Sequence, residues 1–210
     1  MKLGLISAIL GDLSFEEMID FLAECGLECV EVACWPKGKA ERRYAGVSHI
    51  DVDTLDDEKC AHILDYCQKK GVEISSLAYY PNTMDPDVEK RTAYIEHLHK
   101  LIDASAKLGV NMITTFIGRD PKKTVSQNLE LVKEIWPPIL DHAKEKGVKV
   151  AIENCPMLFT EDEWPGGQNL MTTPAIWRQV FEILDYDNFG INYDPSHFIW
   201  QQIDYIRPLY

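Results

Sequence analysis

Two carboxylate residues end predicted strands in the second half of the chain. Glu153 ends the apolar run that begins at Val150, and Asp194 ends the run that begins at Ile191. Two carboxylates that converge on one end of a sheet repel each other and lose hydration unless a cation lies between them. Oxygen ligands favour Mg²⁺ or Mn²⁺, and the imidazole of His197 extends the choice to Zn²⁺ or Co²⁺. The alternative is that both carboxylates cap helix N-termini or pair with Lys or Arg side chains.

The elements that position these residues follow from a repeat. Gly26, Gly71, Gly109 and Gly147 each end an amphipathic helical stretch and are followed at once by a short apolar run. They are separated by 45, 38 and 38 residues, and a looser fifth copy begins near Asn188. Because glycine accepts the left-handed conformation in which many helices end, the pattern predicts helix, turn and strand in repeated order.

Local signals predict where individual helices begin. Ser14 with Glu17 three residues later forms a capping box, and Thr173 followed by Pro174 is typical of an N-cap. Pro137, with a second proline after it, is expected to kink or restart its helix. The strands are apolar runs without clean alternation, as in parallel sheets covered on both faces. They are predicted at Leu3–Ile9, Cys29–Ala33, Ile74–Ala78, Met112–Ile117, Val150–Ile152 and Phe189–Tyr193.

This order of elements predicts an α/β fold, a (β/α) TIM-type barrel with about six of eight βα units present. No GxGxxG motif follows the first strand, and acidic residues gather at the carboxyl ends of strands, which favours a barrel over a dinucleotide-binding sheet. We therefore expect one barrel domain over residues 1–210, incomplete at its C-terminus. A naturally short barrel and an open six-stranded sheet are the alternatives.

The composition excludes several classes of partner. The chain has 34 acidic and 21 basic residues and a net charge of −13, so it is expected to repel nucleic acid. No stretch reaches the roughly 18 apolar residues of a membrane span, and no signal-peptide pattern follows Met1. The six cysteines form no paired CxxC units and are expected to be reduced thiols of a cytoplasmic protein. A zinc site of Cys25, Cys29 and Cys34 fits no standard spacing.

Two segments resemble the motifs of a known family. Ala151–Pro156 (AIENCP) and Asn192–His197 (NYDPSH) are similar to motifs of the xylose-isomerase-like barrel superfamily. That group includes sugar and sugar-phosphate isomerases and epimerases, inositol-catabolism enzymes and type IV apurinic endonucleases. The resemblance covers the whole chain, and the strands at Leu3 and Val30 are also typical of the family.

The resemblance implies a divalent metal (Mn, Mg, Zn or Co) held by four residues at the ends of strands five to eight. Glu153 matches the first ligand, Asp194 the second, and His197 the family's substrate-contacting histidine. The remaining His and Glu are expected beyond Tyr210. In such epimerases two metal-bound glutamates move the proton next to a carbonyl through an enediolate. Glu153 is the one catalytic glutamate found, so the chain as it stands is expected to be inactive or severely impaired.

Further residues are candidates for contact with a sugar or a sugar phosphate. Glu31 at the end of strand two, Tyr79 after strand three, and Asn154 are expected to bind substrate together with His197. The loop from Met157 to Thr172 is long for a βα connection and is a candidate lid. Tyr80 and Asn82 are weaker candidates for contact with a sugar. Six basic residues either bind a phosphate or lie in solvated loops: Lys37, Lys39, Arg42, Arg43, His49 and Arg119.

Three functions fit these patterns. The first is a metal-dependent isomerase or epimerase of a sugar or a sugar phosphate. The second is a non-catalytic barrel fragment or a module completed by a partner chain, because missing units would expose strand edges and favour a homo-oligomer. The third is an endonuclease at abasic sites, which the acidic charge disfavours. Neither nucleic acid nor a membrane is expected as a partner.

Overall fold

The computed structural model describes residues 1–38, 45–158 and 167–210. Six parallel strands alternate with helices along these residues, which confirms the α/β fold class. The strands are β1 (Gly4–Ile6), β2 (Cys29–Ala33), β3 (Glu73–Ala78), β4 (Met112–Thr115), β5 (Lys149–Glu153) and β6 (Phe189–Asn192). The helices are α1 (Phe15–Glu24), α2 (Asp57–Lys70), α3 (Val88–Lys107), α4 (Val125–Glu145), α5 (Pro174–Ile183) and α6 (Ser196–Trp200), with 3₁₀ turns at Ser7–Leu10 and Arg207–Leu209.

Contacts divide the chain into two compact units. The first comprises Met1–Tyr79, His97–Ile113 and Lys146–Val148, and the second comprises Tyr80–Glu96, Thr114–Glu145 and Lys149–Tyr210. All three residues of the predicted metal motifs, Glu153, Asp194 and His197, therefore belong to the second unit. The expectation of a single domain over residues 1–210 stays a prediction.

The first unit is built on parallel pairing of β2 with β1 and with β3. The α1 helix begins at the predicted capping box, in which Ser14 and Glu17 bond each other's backbone N–H groups. Its apolar face is fully buried, as the periodic spacing of Met18, Ile19 and Leu22 predicts. The four repeat glycines all adopt positive φ, as at Gly71, where φ is 71° and α2 ends.

The second unit pairs β5 in parallel with β6, so that Glu153 lies opposite Asn192. The buried indole of Trp136 anchors α4, because its Nε1 donates to the carbonyl of Ile117 at 2.9 Å and its ring lies 6.1 Å from that of Phe189. The predicted cap of α5 is confirmed: the Thr173 hydroxyl accepts a bond from the Ile176 N–H, and Pro174 occupies the first turn.

Two predicted strands extend too far. The first strand ends at Ile6 and not at Ile9, because the buried hydroxyl of Ser7 accepts the Ala33 N–H at 2.8 Å and the chain then turns into a 3₁₀ helix. The strand predicted at Met112–Ile117 ends at Thr115. Pro137 does not restart its helix, since α4 runs through it with buried side chains on either side, and the kink that was the other expectation stays a prediction. No helix among the described residues is long and apolar enough to cross a membrane.

Candidate metal centre

The ends of β5 and β6 place Glu153 and Asp194 in a shared local framework. Glu153 is the last residue of β5, and Asp194 lies two residues beyond β6. The side chain of Asn154 joins them: its Oδ1 accepts the Asp194 N–H at 2.7 Å, and its Nδ2 donates to the Asp194 carbonyl at 2.9 Å. Asn154 is 0% exposed, so its role in the structure is to position Asp194. The substrate contact predicted for it stays a prediction.

His197 brings the two carboxylates together. It lies on α6, and its Nε2 is 3.0 Å from Glu153 Oε1 and 3.3 Å from Asp194 Oδ2. The other oxygen of Asp194, Oδ1, accepts the Ser196 N–H at 2.8 Å at the start of α6. One oxygen of Asp194 thus bonds the backbone at the start of α6, although the helix has Pro195 as its N-cap and no side-chain cap, and the second oxygen is directed at the imidazole.

A third donor, Cys155, completes the group and was missed by the sequence analysis. Glu153, Cys155 and His197 each offer one ligand atom, and the three atoms lie within 4.8 Å of one another. In the described part of the chain this is the one group of three such side chains that the structure brings together. The available signal was the position of Cys155 two residues after Glu153, where both residues leave the same strand end.

The electrostatics of this group favour a positive charge. Burial of the imidazole opposes its protonation, but the hydrogen bonds with Cys155 and Glu153 and the charge of Asp194 outweigh it and raise the pKa of His197 to about 10. Carboxylate, thiol and imidazole are also the donor types that divalent transition metals bind. The residues therefore fit a divalent cation both in charge and in donor chemistry.

Asn169 is a second residue that the sequence did not reveal. Its Nδ2 donates to the carbonyl of Glu153 at 2.8 Å and to the carbonyl of Cys155 at 2.6 Å, and its side chain is buried. These bonds hold the backbone from which two of the candidate ligands project. No sequence pattern identifies Asn169, because its bonds join residues distant in the chain. Asn169 lies within the candidate lid Met157–Thr172, of which residues 159–166, with Trp164, lie outside the described residues.

Two other predicted substrate residues, Glu31 and Tyr79, belong to the first unit. Glu31 lies inside β2, which continues to Ala33, so the expectation that it ends the strand is wrong. Tyr79 belongs to the first unit and is 3% exposed, with its ring 4.7 Å from that of His97 and 5.9 Å from that of Trp35. The substrate contacts of Glu31 and Tyr79 stay predictions.

Of the weaker candidates, Tyr80 and Asn82 belong to the second unit. The Tyr80 hydroxyl accepts a bond from Asn192 Nδ2 at 3.2 Å, at the end of β6. In the first unit, His49 bonds the Ser7 hydroxyl at 3.0 Å, and burial lowers the pKa of its imidazole. Lys37 pairs with Asp51 at 2.8 Å, and three basic residues of the same segment lie outside the described residues: Lys39, Arg42 and Arg43.

The chain is similar in sequence to a known family and to one curated protein. The family model described as "Xylose isomerase-like TIM barrel" matches residues 19–210. The chain is also 24% identical over 219 residues to the uncharacterized protein YfiH of Bacillus subtilis (strain 168), an alignment that covers 97% of this chain and 67% of that protein.

Three solved structures show the same fold at low sequence identity. The probable 3-DHS dehydratase AsbF of Bacillus anthracis has a TM-score of 0.74 at 19% identity and covers 99% of this chain. The IOLI protein with a bound zinc atom has a TM-score of 0.67 at 17% identity and covers 94% of this chain. D-psicose 3-epimerase of Clostridium cellulolyticum H10, solved with D-tagatose, has a TM-score of 0.63 at 18% identity and covers 97%. This chain spans 68%, 64% and 66% of those three chains.

Replacing Asn154 with Ala tests how the centre is positioned. The change removes both part-buried hydrogen bonds of the Asp194 backbone, and each such bond contributes about 0.5–1.5 kcal/mol, so the two together contribute about 1–3 kcal/mol. We expect the free energy of unfolding to fall by about that amount, measured by urea denaturation followed by circular dichroism. Gln179→Ala removes an exposed amide from α5 and is the matched control, with a change under about 0.5 kcal/mol. Equal losses in both variants would contradict the positioning role.

Proposed function

Because the chain belongs to the xylose isomerase-like TIM barrel family, we propose that it is a metal-dependent isomerase or epimerase of a sugar or a sugar phosphate. The observation that carries the proposal is the group formed by Glu153, Cys155 and His197, with Asp194 beside it. Two of the similar structures add support, since one holds zinc and another is an epimerase solved with a ketose.

The donor set indicates which residues hold the metal. Glu153, Cys155 and His197 supply a carboxylate, a thiol and an imidazole, and Asp194 Oδ2, 3.3 Å from His197 Nε2, adds a fourth donor. A thiol and an imidazole favour Zn²⁺ or Co²⁺ over Mg²⁺, which prefers oxygen ligands. This set adds Cys155 to the residues that the sequence predicts, and it uses His197 as a ligand, where the family resemblance implies a substrate contact.

The proposed chemistry assigns proton transfer to Glu153. When bound, a divalent ion polarises a substrate carbonyl and stabilises the negative charge that develops on its oxygen. The Glu153 carboxylate has a second oxygen with which to remove the proton from the neighbouring carbon. Removal and return of this proton by Glu153 exchanges the hydrogen with solvent, and this exchange is the reaction by which the role of Glu153 is tested.

A module completed by further polypeptide is the second candidate, and it also rests on a specific observation. Six large apolar or aromatic side chains between residues 199 and 210 are more than 40% exposed. An apolar surface of this kind is typical of a contact with another part of a protein or with a second subunit. The residues are Ile199, Trp200, Tyr205, Ile206, Leu209 and Tyr210.

Titration with Co²⁺ tests the ligand set without reference to catalysis. A Co²⁺ ion bound by the Cys155 thiolate gives an intense sulfur-to-metal charge-transfer band in the near ultraviolet. In the wild type we expect this band to reach full intensity at one Co²⁺ per protein molecule. In Cys155→Ser the band should be lost, while the weaker visible bands remain. Cys25→Ser removes an exposed cysteine and should leave the spectrum unchanged. The ligand set is wrong if Cys155→Ser and the wild type give the same spectrum, or if Co²⁺ does not bind.

Hydrogen exchange tests the proposed role of Glu153. In deuterium oxide with bound metal, we expect the wild type to exchange the hydrogen next to the carbonyl of a ketohexose phosphate such as D-fructose 6-phosphate, followed by proton NMR. Glu153→Gln should lower the rate about 100-fold or more per bound metal, because a carboxamide cannot accept that proton. Glu182→Gln, an exposed change on α5, is the control. Exchange that persists in Glu153→Gln at equal metal content would show that another group is the base.

A further inference from the structure

Arg119 is a cation in an acidic protein, and no carboxylate of the described residues pairs with it. It follows β4 in the second unit, and its side chain is half-buried. The chain has 34 acidic residues, yet no described carboxylate forms an ion pair with Arg119. The neighbouring Asp120 is directed elsewhere: its Oδ2 lies 3.4 Å from Lys123 Nζ, and its Oδ1 accepts the Lys122 N–H at 3.0 Å. The guanidinium therefore has no acidic partner among the described residues.

Among the described residues, this guanidinium also has no hydrogen-bond acceptor. Its Nε is buried and has no acceptor, and the side chain makes no hydrogen bond with any described residue. Burial lowers the pKa of the guanidinium, since the charged form loses hydration without compensation. A planar guanidinium presents a fork of N–H donors whose geometry matches a carboxylate or a phosphate.

The backbone at Arg119 is held in place by its neighbours. Asn82 accepts the Arg119 N–H through Oδ1 and donates through Nδ2 to the Arg119 carbonyl, both at 2.8 Å. Gly118 has φ of +82°, and a Cβ there would lie 2.6 Å from both Asn82 Oδ1 and the Met84 nitrogen, so no side chain fits. The chain therefore presents Arg119 from a closely packed and rigid turn.

The same local framework supports the candidate metal centre. The carbonyl of Gly118 accepts the Leu170 N–H at 3.0 Å. The residue before Leu170 is Asn169, whose Nδ2 holds the carbonyls of Glu153 and Cys155. The consecutive residues Asn169 and Leu170 thus connect two segments: Leu170 bonds the segment after β4, and Asn169 bonds the end of β5.

We propose that the guanidinium of Arg119 binds an anionic group of the substrate, a carboxylate or a phosphate. The inference rests on the proposed function and narrows it, because it makes the substrate a sugar acid or a sugar phosphate and not a neutral sugar. A half-buried cation whose donors have no acceptor among the described residues is costly to the free protein. A ligand anion at this position supplies the missing acceptors.

Anion binding to the metal-free protein tests this proposal apart from catalysis. Inorganic phosphate and D-gluconate serve as the two anionic probes, and D-tagatose is the neutral control, each followed by thermal shift and isothermal titration calorimetry. We expect at least one anion to bind the wild type and to bind Arg119→Met about tenfold more weakly or worse, because a charge-assisted pair is lost. Arg119→Lys should bind more weakly than the wild type but better than Arg119→Met. Arg178→Met removes an exposed arginine from α5 and should bind like the wild type.

The ligand-free melting temperature separates a binding role from a structural one. Arg119→Met removes an uncompensated charge, so we expect its melting temperature to equal or exceed that of the wild type. A large fall in melting temperature together with unchanged anion affinity in Arg119→Lys overturns the proposal. So does equal binding of the anions by the wild type and Arg119→Met, or binding of neither anion by the wild type. If anions bind through Arg119 while Co²⁺ does not bind, the proposed metal chemistry fails and the anion site stands.

Discussion

The concentration of negative groups around one imidazole is the constraint on which the second unit depends. Glu153 and Asp194 lie 3.0 and 3.3 Å from the same nitrogen of His197, and Cys155 completes the group. The two carboxylates repel each other unless a positive charge lies between them. In the metal-free protein the imidazolium of His197 supplies that charge, which is why its pKa is raised to about 10 despite burial. A divalent cation satisfies the same requirement with more charge and with directional bonds.

The scaffold around this group is arranged to keep like charges together. Two buried asparagines bond the backbone of three candidate ligands: Asn154 holds Asp194, while Asn169 holds Glu153 and Cys155. Side-chain amides suit this purpose because they donate and accept at once and carry no charge of their own. The parallel register of β5 and β6 sets Glu153 opposite Asn192, so backbone pairing alone places the two strand ends side by side. Arg119 is held by a similar amide, that of Asn82.

The sequence predicts the scaffold better than it predicts the site. The helix ends, the caps at Ser14 and Thr173, and the alternation of strand and helix depend on local backbone preferences, and the structure confirms them. Glu153 and Asp194 were identifiable because a carboxylate at the end of an apolar run is conspicuous. Cys155 was not, because a cysteine after a strand is usually a buried thiol and only the three-dimensional approach of His197 gives it a role. Asn169 and Asn82 act through bonds to residues distant in the chain, which no spacing rule encodes.

The central claim is that the negative charge of this group holds a divalent metal. Anomalous diffraction at the zinc edge, from crystals soaked in Zn²⁺, locates the ion directly. The account predicts a single strong peak about 2.0–2.3 Å from Glu153 Oε1, Cys155 Sγ and His197 Nε2. A fully occupied zinc elsewhere, for example at the exposed Cys25, with none at this group, would contradict it.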